Sequence, residues 1–413
     1  MSGLEREAGH EPVAGVERVA AAQRLRIAVL GDFDGVHTRS WIRWFVARGH
    51  DVHAISFYPP YAPLDGVTLH ALRSRSGPRS SSDGARRAAQ AGGRLPRGLI
   101  RLGHGLRYRR AGLVRVVREI VPDVFHGHFL VEHGFYGALA GFHPYVVTAW
   151  GSDVLVEPGR DPISRWITRW TLRRADLATS NNAFMAERMV ALGAPREGVE
   201  TVVLGTDAYF GELWEESVNV RGREADSPPV ILSTRAHEPL YRVGDILDAY
   251  ELVVRKAPEA RLVFAHGGSL TAELRARAGS TGGSVEFTGT VDAARLRELM
   301  AGAEVFVSAP SSDGTSVALL QSMAAGCFPI VSDLETQREW VEDGVNGFRV
   351  PVGAPEALAQ AMLRALDDRE LRRQAAEANR RIVAERGTNE TQMAKMERLY
   401  LRLAGRAAAG ELS

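Results

Sequence analysis

The residues best placed to do chemistry lie in one stretch, SDGTSVALLQSMAAG, from Ser312 to Gly326. A strand-like run, EVFVSAP (Glu304 to Pro310), precedes it, and Val317, Leu320, Met323 and Ala324 then recur at helical spacing. A strand that ends in turn residues and restarts as a helix leaves backbone N–H groups unpaired at the positive end of a helix dipole. Such a corner binds anions, a phosphate or a sugar oxyanion among them. Asp313 sits at its lip and Gln321 about two helical turns further on, so both side chains can share one face and reach separate parts of an elongated ligand. The same pattern also serves an ordinary strand-to-helix connection, and spacing alone does not separate the two readings.

The elements that must position these groups alternate between strand and helix. RIAVLG (Arg26 to Gly31) reads as a buried strand, followed by the loop DFDGVH (Asp32 to His37), a helix through Trp41, Trp44 and Phe45, and a second strand, HDVHAIS (His50 to Ser56). This βαβ unit puts its ligand edge at the strand C-termini. Its loop holds Gly31 and Gly35 without the GxGxxG spacing of a dinucleotide site. DVFHGH (Asp123 to His128) and YVVTAWGSD (Tyr145 to Asp153) end in His128 and Asp153 at that same edge, and DLATS (Asp176 to Ser180) and TVVLGTD (Thr201 to Asp207) continue the series. A second series starts at VILSTRA (Val230 to Ala236) and runs through ARLVFAHGG, VEFTGTV, EVFVSAP, CFPIVSD and GFRVPV, with helices between the strands. The spacing therefore predicts an α/β chain of two Rossmann-like, doubly wound parallel-sheet domains facing a central cleft.

The expected divisions are a flexible leader over 1–23, a first domain over 24–206, a linker over 207–229, a second domain over 230–385, and a C-terminal helix over 386–413 that packs back on the first domain. Within the first domain, residues 74–97 are rich in Arg, Ser and Gly and predict a mobile insertion. The helix expected from Leu99 to Ile120 carries many arginines, so the region 94–118 offers a face for peripheral contact with an anionic membrane; a solvated helix face is the plainer reading. The whole chain has 413 residues, 45% hydrophobic and 24% charged with formal net charge +1, the profile of a soluble globular enzyme with no nucleic-acid partner. A single cysteine, Cys327, excludes an internal disulfide and fits a reducing compartment. With no long apolar run and no secretory signal pattern, the expected location is cytoplasmic.

These segments, taken in order, resemble the retaining, nucleotide-sugar-dependent glycosyltransferases of family 4 (group 1 glycosyltransferases), which have the GT-B fold. HTRSWIRWFVARGHDV, VFHGH, VVTAWGSD and RRADLATS carry the likeness in the first half; STR, FTGTV, SAPSSDGTSVALLQSMAAGCFPIVSD and REWVEDGVNGFRVPV carry it in the second. The resemblance implies an N-terminal domain that binds the acceptor and a C-terminal domain that binds the donor. It places Asp313 and Gln321 at the family's Glu-x7-Glu motif, on the sugar and the ribose respectively. Both depart from the usual glutamates: Asp is one methylene shorter, and Gln loses a charge-assisted bond worth about 1 kcal/mol. Arg235 and Arg242 take the places of the diphosphate-binding Arg and Lys. The backbone at Gly314, Thr315, Ser316 and Val317 completes that anion site, and Gly267 and Val291 lie on the donor side, Val291 under the base. His128 is implied beside the anomeric centre, with Gly35, His37, Trp150 and Asp153 lining the acceptor side.

The implied reaction moves a sugar, with retention, from a nucleoside-diphosphate sugar to an acceptor hydroxyl of a small molecule, glycan or lipid-linked compound, a UDP-sugar being favoured over a GDP-sugar. The arginines and helix N–H groups would stabilise the leaving diphosphate without a metal or any cofactor. Two alternatives stay open on the sequence: a GT-B epimerase or hydrolase of sugar nucleotides, and a non-catalytic sugar-nucleotide-binding subunit.

Overall fold

The computed structural model describes residues 24–60, 62–72, 106–207, 210 and 227–410. The expected leader over 1–23 and the insertion over 74–97 lie outside the described residues, as does most of the linker over 207–229. Two all-parallel sheets form the frame. The first has seven strands in the order β3-β2-β1-β4-β5-β6-β7, and the second six in the order β10-β9-β8-β11-β12-β13. The first is built from β1 (Arg26–Leu30), β2 (Asp51–Ser56), β3 (Thr68–Ala71), β4 (Val124–His128), β5 (Tyr145–Thr148), β6 (Leu177–Ser180) and β7 (Val199–Thr201). The second is built from β8 (Val230–Ser233), β9 (Arg261–Phe264), β10 (Ser284–Phe287), β11 (Val305–Ser308), β12 (Phe328–Ser332) and β13 (Phe348–Val350).

Central strands here are short apolar runs because helices cover both faces of each sheet. Alternation along β1 shows how the faces divide. Ala28 and Leu30 join Phe125, Val147, Leu113 and Val117 on one side, while Ile27 and Val29 join Val124, Val146, Trp41 and Phe45 on the other. The second sheet divides likewise. Val305 and Val307 pack with Ile246 and Met362, and Phe306 packs with Leu319, Leu320 and Met323. Register fixes the functional edge: Leu30 stands opposite Gly127 across β1 and β4, so the loops after both strands open at one place.

The helix Asn389–Ala408 returns from the second domain to the first. Met393, Met396, Leu399, Tyr400 and Leu403, spaced three and four apart, are buried against Trp41, Ile42 and Phe45. Glu397 holds it from the side, facing Arg48 at 3.1 Å and His50 at 2.8 Å. The two passages of the chain between domains touch each other: Thr206 N donates to Gly387 O and Asn389 N to Thr206 O, both at 2.8 Å. Gly205 makes this approach feasible, since a Cβ there would stand 2.3 Å from Asn389 N.

Several elements differ from the sequence expectation. The strand expected over Thr201 to Asp207 ends at Thr201, because Thr206 is drawn into the bridge with Thr388. VEFTGTV stops being a strand at Phe287, and Gly289 follows at φ +74. The helix expected from Leu99 is described from Leu106–Ile120. There Arg110 Nε donates to Leu139 O at 2.9 Å and Arg115 pairs loosely with Glu119 at 3.7 Å. β3 and the helices Pro162–Leu172 and Ala183–Ala191 were not expected at all. Among the described residues no helix is long and apolar enough to cross a membrane.

Candidate functional site

Strand order reverses between β1 and β4 in one sheet and between β8 and β11 in the other. Doubly wound sheets bind ligands outside the strand C-termini at such switch points. The first switch point gathers Gly31, Thr38 and His128; the second gathers Arg235, Asp313 and Ser316. Contacts across the cleft bring the two together. Thr315 Oγ1 donates to Asn181 O at 2.6 Å, and a Cβ on Gly151 would lie 3.6 Å from Gly314 N. Gly314 packs tightly on Asn181: a Cβ there would meet Asn181 Nδ2 at 2.5 Å and force that amide to move. Glu339 adds an electrostatic tie, its carboxylate accepting from Ala183 N at 3.1 Å and Phe184 N at 2.9 Å at the positive end of the helix Ala183–Ala191.

On the C-terminal side, Arg235 is the hub. Its Nη1 donates to Ser316 Oγ at 2.7 Å, its Nη2 lies 2.9 Å from Asp313 Oδ2, and its guanidinium stacks 4.2 Å from the centroid of Tyr241. Burial pushes the Asp313 carboxyl above its usual range, and the Arg235 charge offsets only part of that rise. The Asp313 carboxylate thus touches the arginine assigned to the diphosphate, while Gly314 N donates to its other oxygen at 3.0 Å. The loop is braced from below: Thr336 Oγ1 donates to Asp313 O at 2.9 Å, and Trp340 Nε1 to Thr315 Oγ1 at 3.2 Å. Ser316 caps the helix Val317–Ala324, its side chain accepting from Leu319 N, and the N–H groups of the first turn have no partner within the helix ladder. Gln321 lies half-buried on that helix, and Val291 packs beside the core beneath it.

Arg242 sits apart from this hub. It holds a left-handed φ of 47 at the start of the helix Val243–Val254, and its Nε donates to Asp245 Oδ2 at 2.7 Å. Gly267 contributes backbone only, its carbonyl accepting from His237 N at 3.2 Å.

On the N-terminal side, His128 ends β4 almost fully buried, with ring edges against Trp41 and Trp150 at 5.3 Å each and against His126 at 4.5 Å. Its Nδ1 lies 3.4 Å from Thr38 Oγ1, and its Nε2 has no partner among the described residues. Burial, with the nearby His133 charge, lowers its pKa to about 3, so the ring is neutral at physiological pH. A buried, unsatisfied ring nitrogen at a switch point fits a ligand-facing role. Asp153 is placed otherwise. Its Oδ1 accepts from Trp150 N at 3.0 Å and Gly151 N at 2.9 Å, and its Oδ2 from Leu130 N at 2.9 Å. Desolvation nevertheless raises its pKa to about 6. Both oxygens accept from backbone, so Asp153 staples the loops after β4 and β5 and positions Trp150. Gly35 is the N-cap of the helix Val36–Ala47 with no steric demand for glycine. The side chain of His37 lies outside the described residues.

Tyr241, Thr38, Asn181 and Glu339 join the site without having been foreseen. Their only sequence signal is position: each lies in the loop or first turn that follows a strand or that supports such a loop.

Two doubly wound parallel domains with one cleft between their switch points define the GT-B class of fold. Residues 34–205 match the Glycosyl transferase 4-like domain, and residues 216–382 match Glycosyl transferases group 1. The chain belongs to the group 1 glycosyltransferases. It is 31% identical over 191 residues to the phosphatidyl-myo-inositol mannosyltransferase of Mycobacterium tuberculosis, an alignment covering 45% of this chain and 48% of that protein. The chain thus spans about half the length of this curated relative. It is 23% identical over 286 residues to the N-acetyl-alpha-D-glucosaminyl L-malate synthase of Bacillus anthracis, covering 67% of this chain and 74% of that one. The crystal structure of Anabaena HepE in complex with UDP-glucose shares the fold, with a TM-score of 0.69 at 15% identity over 91% of this chain and 99% of that one.

Proposed function

We propose that this protein transfers a glycosyl group, with retention, from a nucleoside-diphosphate sugar to an acceptor hydroxyl. The observation that supports the reading is the close approach of Gly314 to Gly151 and Asn181 across the cleft, which fits the Arg235 hub and His128 serving one site from two walls. The relatives' names speak of mannosyl and N-acetylglucosaminyl products, and the HepE crystal holds UDP-glucose, which favours a UDP-sugar donor. As the bond between anomeric carbon and phosphate oxygen breaks, Arg235 and the N–H groups at the start of the helix Val317–Ala324 stabilise the growing diphosphate charge. A new bond forms from the acceptor oxygen to the same face of the anomeric carbon, and the acceptor proton passes to the departing phosphate. His128, neutral and with Nε2 unsatisfied, offers a hydrogen bond to the donor rather than a base. The reaction needs no metal in this scheme, because arginine and backbone dipoles carry the charge. Gln321 reads the ribose, and Arg242 reaches the phosphates by exchanging Asp245 for ligand. The exposed Arg110, Arg115 and Arg118 of the helix Leu106–Ile120 are the surface on which an anionic membrane would rest.

The test is incubation of the purified full chain with UDP- and GDP-sugars, with and without acceptor alcohols, following nucleotide release and the anomeric configuration of the product. A retained glycoside from a UDP-sugar, formed in the presence of chelator, is the expected result. Tight nucleotide binding without turnover under every condition overturns the transferase reading in favour of a binding subunit, and epimerised or hydrolysed sugar without glycoside overturns it in favour of an epimerase or hydrolase.

A further inference from the structure

One buried polar chain remains unused by the reaction as described. It starts on the last helix and ends beside His128. Trp41 Nε1 lies 3.3 Å from Tyr400 Oη and can only donate, so Tyr400 accepts there and turns its own proton to His126 Nδ1 at 2.5 Å. Nδ1 therefore accepts, and the single proton of the neutral ring sits on Nε2, which donates to Thr148 Oγ1 at 2.7 Å. Thr148 in turn donates to Thr179 Oγ1 at 2.5 Å. One donor that can only donate thus fixes the tautomer and orientation of His126 and the direction of every bond after it. Tyr400 and His126 are both fully buried, so an alternative pattern would leave a polar atom without water or partner. Burial and the neighbouring His128 keep His126 uncharged.

His128 has no comparable anchor. Among the described residues its ring makes one hydrogen bond, with Thr38, long at 3.4 Å, and is otherwise held by three aromatic walls: His126, Trp41 and Trp150. Tyr400 Oη binds the first two walls directly.

We propose that Tyr400 and His126 are positioning residues for His128, so that a helix following the C-terminal domain in sequence sets the ring on the opposite wall of the cleft. The proposal rests on the placement of His128 at the reaction centre.

The test uses the full chain with Tyr400→Phe, which keeps the ring and removes only the hydroxyl. The control is Leu403→Ala, on the same helix and in the same apolar cluster but without a polar side chain. Tyr400→Phe should lower kcat roughly tenfold or more while donor KM stays near wild type, as expected when a reacting geometry loosens. Leu403→Ala should lower the melting temperature with kcat unchanged. Ring 15N–1H correlation spectra give an activity-independent readout: Tyr400→Phe should shift or broaden the His126 and His128 ring signals, and Leu403→Ala should leave them in place. Unchanged kcat and unchanged His128 signals in Tyr400→Phe overturn the proposal. If His128→Ala turns over like wild type, the placement of His128 in the reaction fails, while the ring spectra still decide whether Tyr400 and His126 hold it.

Discussion

Replacing Arg235 with alanine tests the site at its hub. The change removes one bond to Ser316, one ion pair with Asp313 and one stack on Tyr241. Arg235 and Asp313 side chains are only 11% and 17% exposed, so solvent screens their charges weakly. In the proposed reaction Arg235 meets charge that grows as the diphosphate leaves, the situation in which losing one preorganised donor costs about 3–4 kcal/mol, or roughly 10²–10³ in rate. The folded protein also loses a charge-assisted bond, a cost of about 1–3 kcal/mol. Without its counter-ion the Asp313 carboxyl, already raised by burial, rises further. Arg235→Lys should fall between the two, since an ammonium keeps the charge but cannot fork to Ser316 and Asp313 while lying flat on Tyr241. The assay is initial-rate kinetics with a UDP-sugar at saturating acceptor, with thermal unfolding and nucleotide titration run in parallel. A folded Arg235→Ala protein with wild-type kcat/KM would refute the diphosphate assignment.

The other predictions concern pH and packing. Because His128 titrates at about 3 in the folded protein, kcat should be flat from pH 6 to 8; an inflection near 6.5 that His128→Asn abolishes would show a charged or general-base role instead. Asp153 has its pKa raised to about 6 from 3.8, so the native state binds more protons than the unfolded one between those values, and the group's contribution to stability declines as pH rises from about 4 to 6. Asp153→Asn should cost about 1–3 kcal/mol from lost backbone bonds, and the gap from wild type should be wider at pH 4 than at pH 7 in urea melts; a gap that widens with pH contradicts the assignment. Gly205→Ala forces a Cβ into the Thr388–Asn389 backbone and should destabilise by about 2 kcal/mol or more, read as a lower unfolding midpoint; an unchanged midpoint would mean the two passages separate freely.

Much of the frame was legible because parallel strands between covering helices leave short apolar runs at regular intervals. β4 ends at His128, where the run DVFHGH ends, and β11 covers Val305–Ser308 within the run EVFVSAP. The helix Pro162–Leu172 was missed because threonines, Thr168 and Thr171, share its buried face with Ile167 and Leu172, which blunts the apolar period. β3 was missed for the opposite reason: at the sheet edge its TLHA is mostly exposed and needs no apolar pattern. At the site, residue type and strand-end position pointed to His128 and Asp313, and the family resemblance pointed to Arg235. They could not show that Asp153 is consumed by three backbone N–H groups, or that Asp313 pairs with Arg235, because those facts depend on loop conformation. Asn181 and Thr315 meet across 134 positions of sequence, and local spacing carries no record of such a meeting.

The return of the last helix to the first domain has a consequence for synthesis. By Thr201 every strand of the seven-stranded sheet exists, but the surface around Trp41 and Phe45 is still uncovered, because Met393, Met396 and Tyr400 come later in the chain. A ribosome must therefore deliver the entire second domain before the first one is sealed. The order in which the two halves mature is thus the reverse of the order in which they begin: the domain started second can close first, and the domain started first waits for the final helix.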